Sequence, residues 1–457
     1  MYKRILTALA GAGVMLTSPL SAAVNYVYIL TGQSNSLGAV KGSPAGADVL
    51  KRYESEGILW SGNMVRDTGK PFDPSPTWRQ VQPQLPVYNG TPCMGPEYGF
   101  AHMMQRRGWH TQANNRVCII KASLDGGGNS LWMKDKPAYA TLVKTLHDGL
   151  AALDGKWHVQ ALLYLQGESD KGEEITKAPT RFLELKTRLQ KEVKKGLKYA
   201  VVGECATWSG RDAKEKGKTT VQLMHDMTQS KKEIAWVRTR DLTKITSGDN
   251  MGVHYDGRSQ ITIGARYAYA VAALEKLPMG FVRGDDPKAS LDDNAAWWGG
   301  KAPGARDVMT WDVSALRGAD TLKKDMSVAG LLVEDPAAGE VVIGSGGEGE
   351  PTPVLQVGSE GITLQEADLS INCALKTTAD QTWTLPADRR LKLSSLKGKG
   401  VITLQADKNA KLCLALDEAP EHEWKADVLP QVEASIAGKP AHFVKHGSVY
   451  RLELAEH

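Results

Sequence analysis

Tyr26-Val-Tyr-Ile-Leu-Thr-Gly-Gln-Ser-Asn-Ser-Leu-Gly38 decides how the rest of this chain is read. Residues 26–30 form an apolar run rich in aromatic and β-branched side chains, the composition of a buried strand. The run stops at Thr31-Gly32, and Gln33, Ser34 and Asn35 follow. Open α/β folds carry their chemistry at the carboxyl tips of parallel strands, and a serine near a glycine at such a tip can hold its hydroxyl clear of the backbone. Taken alone, Gly-Gln-Ser-Asn-Ser reads as an ordinary polar turn, because Ser, Asn and Gly are common turn formers. The downstream sequence reverses that reading.

Four more apolar runs follow, at 117–121, 161–165, 199–203 and 234–237. Helical patterns fall between and after them, at about 95–107, 138–153, 179–195, 218–229 and 261–277. Strands alternating with helices at this spacing predict a three-layer α/β/α domain around a parallel sheet. Two of these strands also end in glycine-containing polar loops: Ala122-Ser-Leu-Asp-Gly-Gly-Gly-Asn-Ser-Leu-Trp132 and Gln166-Gly-Glu-Ser-Asp170. A further loop, Asp249-Asn-Met-Gly-Val-His-Tyr-Asp256, precedes the last helix. The stretch 39–94 is rich in Pro, Gly, Asp and Trp with few periodic apolar runs, and is expected to be irregular and to lie over the strand tips. Trp60, Trp78 and Tyr88 there are candidates either for stacking on sugar faces or for local core.

The 457 residues exceed the usual size of one domain. Hydrophobic content of 42% and charged content of 24% describe a globular chain, and a net charge of +4 is too balanced to imply nucleic acid or an anionic membrane as partner. Lys3 and Arg4, the apolar stretch 5–16 and the small residues Ser21-Ala22-Ala23 read as a signal peptide over 1–23, predicting a secreted, periplasmic or cell-surface protein. No other stretch is long enough to span a bilayer. Five widely spaced cysteines offer no zinc motif, and their odd number leaves at least one thiol unpaired within a monomer.

The first domain is expected over 24–280 and a linker over 281–309. From 310 to 457 short β-type runs divided by Gly, Asp and Asn predict a smaller all-β domain. Ile362-Thr-Leu-Gln365 recurs as Ile402-Thr-Leu-Gln405, and Cys373 and Cys413 share that offset. The recurrence suggests stacked β-coils, with chance and shared β-propensity as the equal alternative. Thr382-Trp-Thr-Leu385, Leu391-Lys-Leu393 and Gly398-Lys-Gly-Val-Ile-Thr-Leu404 resemble autotransporter-associated β-strand repeats, which implies β-helical coils appended as a module.

The polar loops contain the parts acyl transfer needs: a nucleophile, a base and donors for a developing oxyanion. Ser34 is the candidate nucleophile, with Ser36 and Ser169 as rivals, and His254 is the candidate base. Backbone N–H groups at Gly127 or Gly128 and the Gln166 amide are candidate donors. The triple glycine lacks the Gly-Lys-Ser/Thr ending of a phosphate-binding loop, which argues against nucleotides. Gly32-Gln-Ser-Asn35, Gly95-Pro-Glu97, Gly127-Gly-Asn-Ser-Leu131, Gln166-Gly-Glu-Ser-Asp170, His254 and Gly264-Ala-Arg-Tyr-Ala268 together resemble the SGNH (GDSL-like) hydrolases, in the branch of carbohydrate O-acetylesterases.

That resemblance covers roughly 24–278. It implies Ser34 as nucleophile, His254 as base, and an oxyanion hole of Ser34 N–H, Gly127 or Gly128 N–H and Gln166. It also implies an acetylated glycan as substrate, with no metal or cofactor. Asn35, Asn129 and Glu168, polar residues of the same blocks, are expected to contact substrate. A sialate O-acetylesterase is favoured over an acetylxylan esterase; a non-catalytic glycan-binding or adhesion protein is the alternative of another class. One departure stands out. The family commonly places Asp three residues before the His, where this chain has Met251. Asp249 lies two residues further back, leaving either Asp249 or a backbone carbonyl to orient His254. Every candidate catalytic residue precedes 255, so the β module is expected to be dispensable on small esters.

Overall fold

The computed structural model describes residues 23–38, 47–88, 91–112, 114–194, 196–206, 213–246, 252–345 and 351–455. The signal-peptide segment before Ala23, and Asp249 with Met251, lie outside the described residues.

The opening stretch forms β1 (Val24–Gly32), and β1 lies in the middle of a seven-stranded sheet. The other strands are β2 (Ile58–Ser61), β3 (Arg79–Gln80), β4 (Arg116–Ser123), β5 (Lys156–Leu165), β6 (Gly196–Gly203) and β7 (Ile234–Val237). Their order is β3-β2-β4-β1-β5-β6-β7, parallel except for β3. The order grows outward from β1 in both directions, so β1 is the switch point at which α/β sheets leave a crevice beyond the strand tips. Register makes that crevice concrete: Gly32 lies opposite both Ser123 and Leu165, so the loops after β1, β4 and β5 emerge side by side.

The helices around the sheet are α1 (Ser34–Leu37), α2 (Glu97–Arg106), α3 (Pro137–Ala151), α4 (Glu173–Glu192), α5 (Thr220–Gln229) and α6 (Gly257–Glu275), and a further short helix spans Ala47–Arg52. The period-2 geometry of β1 sends Tyr28 and Leu30 to one core with α2 and α6, and Val27 and Ile29 to the other with α3, α4 and α5. The α2–α6 pair packs backbone on backbone. A Cβ on Gly99 would lie 1.8 Å from Ile261 O, and one on Gly264 would lie 1.9 Å from Pro96 O. That contact seats the start of α6, just after His254, against the turn at Gly95.

Three local expectations change. β2 was expected to be irregular; four residues between Gly57 and Gly62 are too short for periodicity, but pairing with β4 makes them a strand. A hairpin of Gln84–Tyr88 and Thr91–Cys93 also lies in that stretch. α4 begins six residues before its expected start, and Pro179 lies inside it. Proline usually marks a helix start, but here burial of Ile175, Ala178 and Phe182 on one face carries the helix through it.

The C-terminal region is a stack of β-coils paired in parallel. Leu369, Leu391, Leu412 and Val432 succeed one another along one column, 22, 21 and 20 residues apart. The forty-residue recurrence therefore spans two coils: Ile362 pairs with Trp383, and Trp383 with Leu404, two residues past Ile402. Cys373 and Cys413 do not share a column, because Cys413 lies over Lys392 and Lys392 over Ser370. Cys118, Cys205, Cys373 and Cys413 are free thiols. The stack ends in antiparallel strands Gln431–Ile436, Lys439–His446 and Val449–Leu454, with Tyr450 pairing back to Trp424. Such a closure covers the last open edge.

Residues 281–309 are not a loose linker. Phe281–Val282 pairs with the strand Val308–Trp311, and Arg283 is buried on Asp320 and the carbonyls of Gly284 and Ala296. The two domains meet through ionic groups. Asp312 accepts from Tyr269 Oη (2.6 Å) and Arg107 (2.8 Å), and Arg107 also reaches Glu334 (3.1 Å). Arg266 of α6, with no exposed surface, uses all five of its N–H bonds. Three go to Asp241 and Arg238 O, and two to Ser314 O and Ala315 O of the coil domain.

Candidate active site

Ser34 opens α1 immediately beyond the β1 tip. The turn depends on Gly32, whose φ is +142° and whose Cβ would fall 1.9 Å from Leu165 O. No side chain fits where the tips of β1 and β5 touch. First-turn amides of a helix have no intrahelical acceptor, so the Ser34 N–H heads α1 in the position expected of an oxyanion donor. The far end of α1 is fixed from below. Lys121, completely buried on β4, donates from Nζ to Leu37 O (2.9 Å) and to Glu97 Oε2 (2.7 Å). Glu97 in turn accepts from Gly95 N (2.9 Å) and Gln84 Nε2 (3.0 Å).

Asn35 joins the nucleophile turn to the base loop. Its Oδ1 accepts from Tyr255 N (3.1 Å) and its Nδ2 donates to Glu168 Oε1 (2.7 Å). The residue after Ser34 therefore bonds the residue after His254, and the β5 loop is tied to both. Ser34 and His254 are each 6% exposed, sheltered from bulk water without being sealed. The rival serines are otherwise engaged. Ser36 is fully buried with its hydroxyl 2.7 Å from Ser123 Oγ, and Ser169 Oγ accepts from Gln33 Nε2 (3.2 Å).

Gln166 sits at the β5 tip but has no amide proton to spare for an oxyanion. Its Nε2 donates to Gln33 Oε1 (2.9 Å) and Gly127 O (2.7 Å), while its Oε1 accepts from Trp132 Nε1 (3.1 Å). An indole N–H only donates and a carbonyl only accepts, so the amide cannot be flipped. Gln166 holds the loops that carry Ser34 and Gly127, which leaves backbone N–H groups as the candidate oxyanion donors. Asn129 is likewise removed from substrate contact. It is 1% exposed, donates from N (2.9 Å) and Nδ2 to Asp170, and accepts from Tyr164 Oη (2.6 Å). Asn35 and Glu168, expected to touch substrate, are buried and bonded to one another. Of the two readings open for Trp60 and Trp78, the core one holds: they pack together in the α3-side core, with Trp78 Nε1 bonded to Gly149 O (3.0 Å).

Two residues without an assigned role prove structurally central. Asp170 takes the Asn129 bonds and one from Thr220 Oγ1 (3.1 Å), so it pins the glycine loop to α5. Burial pushes its carboxyl up to about 7, with the nearby Glu174 adding to the rise and the bonds from Asn129 and Thr220 opposing it. Lys121 had a readable signal: a lone cation at the end of the apolar strand Val117-Cys-Ile-Ile-Lys121. A charge inside such a strand needs a buried partner. Among the described residues there is no cluster of His, Cys, Asp and Glu arranged to hold a metal ion, and no helix long and apolar enough to cross a membrane.

A family model described as carbohydrate esterase, sialic acid-specific acetylesterase, matches residues 24–273. Two solved structures resemble the chain distantly. One is a protein from Arabidopsis thaliana, 16% identical, covering 55% of this chain and 98% of its own, with a TM-score of 0.40. The other is a carbohydrate acetylesterase from Xanthomonas citri, 13% identical, covering 58% of this chain, which spans 60% of that protein's length, with a TM-score of 0.38. No curated protein matches the chain.

Proposed function

We propose, from the premise that this chain belongs to the carbohydrate esterase family of sialic acid-specific acetylesterases, that it is a sialate O-acetylesterase working through Ser34 and His254. Membership makes it a carboxylic ester hydrolase that removes acetyl groups from glycans, so the adhesion-protein alternative falls away. The observation that carries the site is the bond from Tyr255 N to Asn35 Oδ1, which sets the serine turn against the histidine loop.

In the proposed reaction Ser34 Oγ attacks the acetyl carbonyl while His254 takes its proton. The N–H groups of Ser34 and of Gly127 or Gly128 hold the oxyanion. The sugar hydroxyl then leaves with the proton from His254, and water, deprotonated by the same imidazole, cleaves the acetyl-enzyme. The balance closes without a metal or redox cofactor. Asp249 is proposed as the carboxylate that orients His254. Export through residues 1–23 and a likeness of the coils to autotransporter-associated β-strand repeats are proposed on sequence grounds.

Acetate release from defined O-acetylated sialic acids, set against acetylated xylo-oligosaccharides, tests the substrate. A kcat/KM advantage for the sialic acids is expected, and an advantage for xylo-oligosaccharides would replace the reading with an acetylxylan esterase. Asp249→Asn tests the third member: a loss approaching ~10⁴-fold is expected if the amide also fixes the wrong tautomer, and an unchanged pH–rate profile would leave a Ser34–His254 dyad.

A further inference from the structure

The loop that carries His254 is braced from outside its own sheet. The chain doubles back there: Ile245 N donates to His254 O (2.9 Å), Asp256 N donates to Thr243 O (3.2 Å), and Lys244 bridges Tyr255 in antiparallel fashion. At the open end Thr243 Oγ1 donates to the Asp256 carboxylate, which also caps α6 by accepting from Ser259 N (2.8 Å). Arg317, half-buried and belonging to the coil domain, completes this end. Its backbone N donates to Asp241 Oδ2 (2.8 Å) and its Nη1 to Thr243 Oγ1 (2.6 Å). A guanidinium only donates, so it fills the acceptor side of the Thr243 hydroxyl and leaves that proton aimed at Asp256. Asp241 is the same carboxylate that Arg266 grips with both terminal nitrogens, while Arg266 also holds Ser314 O and Ala315 O. The base loop is thus closed by groups some sixty to seventy residues further along the chain.

We propose that Arg317 is a positioning residue for the base, and that the β-coil domain is part of the catalytic unit. The proposal rests on the reading of Ser34 and His254 as nucleophile and base. Thr243 and Asp256 flank the turn that presents His254, and Asp256 begins the helix whose packing seats that turn. Losing the Arg317 bond frees the Thr243 hydroxyl to rotate and loosens the closure of the loop. An imidazole displaced by a fraction of an ångström still permits substrate to bind but transfers the proton poorly. The signature is therefore a fall in kcat with KM held.

The test uses the full-length protein and a chromogenic acetyl ester. Arg317→Ala and Thr243→Val are each expected to lower kcat roughly 10-fold with KM unchanged. The double variant should be no worse than Thr243→Val alone, because Thr243→Val already removes the Arg317 bond together with the one to Asp256. Arg317→Lys should restore part of the loss. Arg451→Ala serves as control: it removes an exposed ion pair with Glu423 in the last coils and should leave kcat alone. If Arg317→Ala does not fold, Thr243→Val carries the test by itself. Wild-type kcat in folded Thr243→Val or Arg317→Ala, or losses that simply add in the double variant, would overturn the proposal. Labelling with a serine-directed organophosphorus reagent separates this failure from failure of the underlying reading. Slower labelling at Ser34 in the variants supports the proposal, an unchanged rate at Ser34 rejects it, and labelling of another serine rejects the assignment of the nucleophile.

Discussion

The turn that bears Ser34 and the loop that bears His254 face each other, yet they are held by opposite means. The serine turn is fixed from within its own sheet, by the touching tips of β1 and β5 at Gly32 and by Lys121 beneath Leu37 O. The histidine loop leans on a second domain, through Asp241, Arg266, Arg317 and the carbonyls of Ser314 and Ala315. A nucleophile at the end of a strand needs only close backbone packing. The proposed base sits on a return loop tied to itself by only a few backbone bonds, such as Ile245 N to His254 O, and draws further rigidity from elsewhere.

The sharpest way to break this contrast is to remove its chemistry. Ser34→Ala is expected to abolish ester hydrolysis, a loss on the order of 10⁶-fold in kcat when a nucleophile acts as one unit with its base, with far- and near-ultraviolet circular dichroism unchanged. Ending the chain before residue 310 attacks the loop side instead. It would strip two acceptors from the buried Arg266 and both carboxylates from Arg107. Each unsatisfied buried group costs about 1–3 kcal/mol, more for charged ones, so the truncated protein is expected to lose soluble, active material even on small esters. A folded and fully active truncation would show that the serine and histidine sides are equally self-sufficient.

On the serine side, Lys121→Met should destabilise by about 3–5 kcal/mol, because it leaves Glu97 charged and unpaired in the core. Adding Glu97→Gln should recover much of that in urea unfolding. Gln166→Ala separates bracing from oxyanion binding. As a brace its loss leaves Trp132 Nε1 and Gly127 O unsatisfied and costs about 1–3 kcal/mol of stability. An oxyanion donor would instead show about 10²–10³ in kcat with stability intact.

The smallest effect concerns pH. Asp170 has its folded pKa raised from 3.8 to about 7 by burial. The folded state therefore holds this proton more tightly than the unfolded chain does. Its contribution is full below the unfolded pKa and is lost as pH rises through about 7. Melting temperature should thus drift down across that window, and Asp170→Asn should flatten the drift. A wild-type profile with no slope from this group would mean that the carboxyl stays ionised in the fold.

Much of this was legible in the sequence, for a physical reason. The apolar run before Gly32-Gln-Ser34, the glycine-rich loops after 121 and 165, and the alternation of strand and helix are local patterns with local causes. Periodicity, turn chemistry and strand-tip placement were enough to name the α/β layers and to bring Ser34, with Ser36 and Ser169 as rivals, and His254 forward, while the choice among them came from the family resemblance. β2 and the real coil length were not legible, because a four-residue strand and a 20–22-residue coil exist only through their partners. The roles of Gln166, Asn129 and Asp170 were decided by tertiary structure alone. Which of a side chain's protons remains free depends on neighbours such as Trp132 and Tyr164, dozens of residues away. The same holds at the domain boundary. Nothing in the composition of 310–457 marks Arg317 as a neighbour of the His254 loop; only the folded chain brings its guanidinium to Thr243.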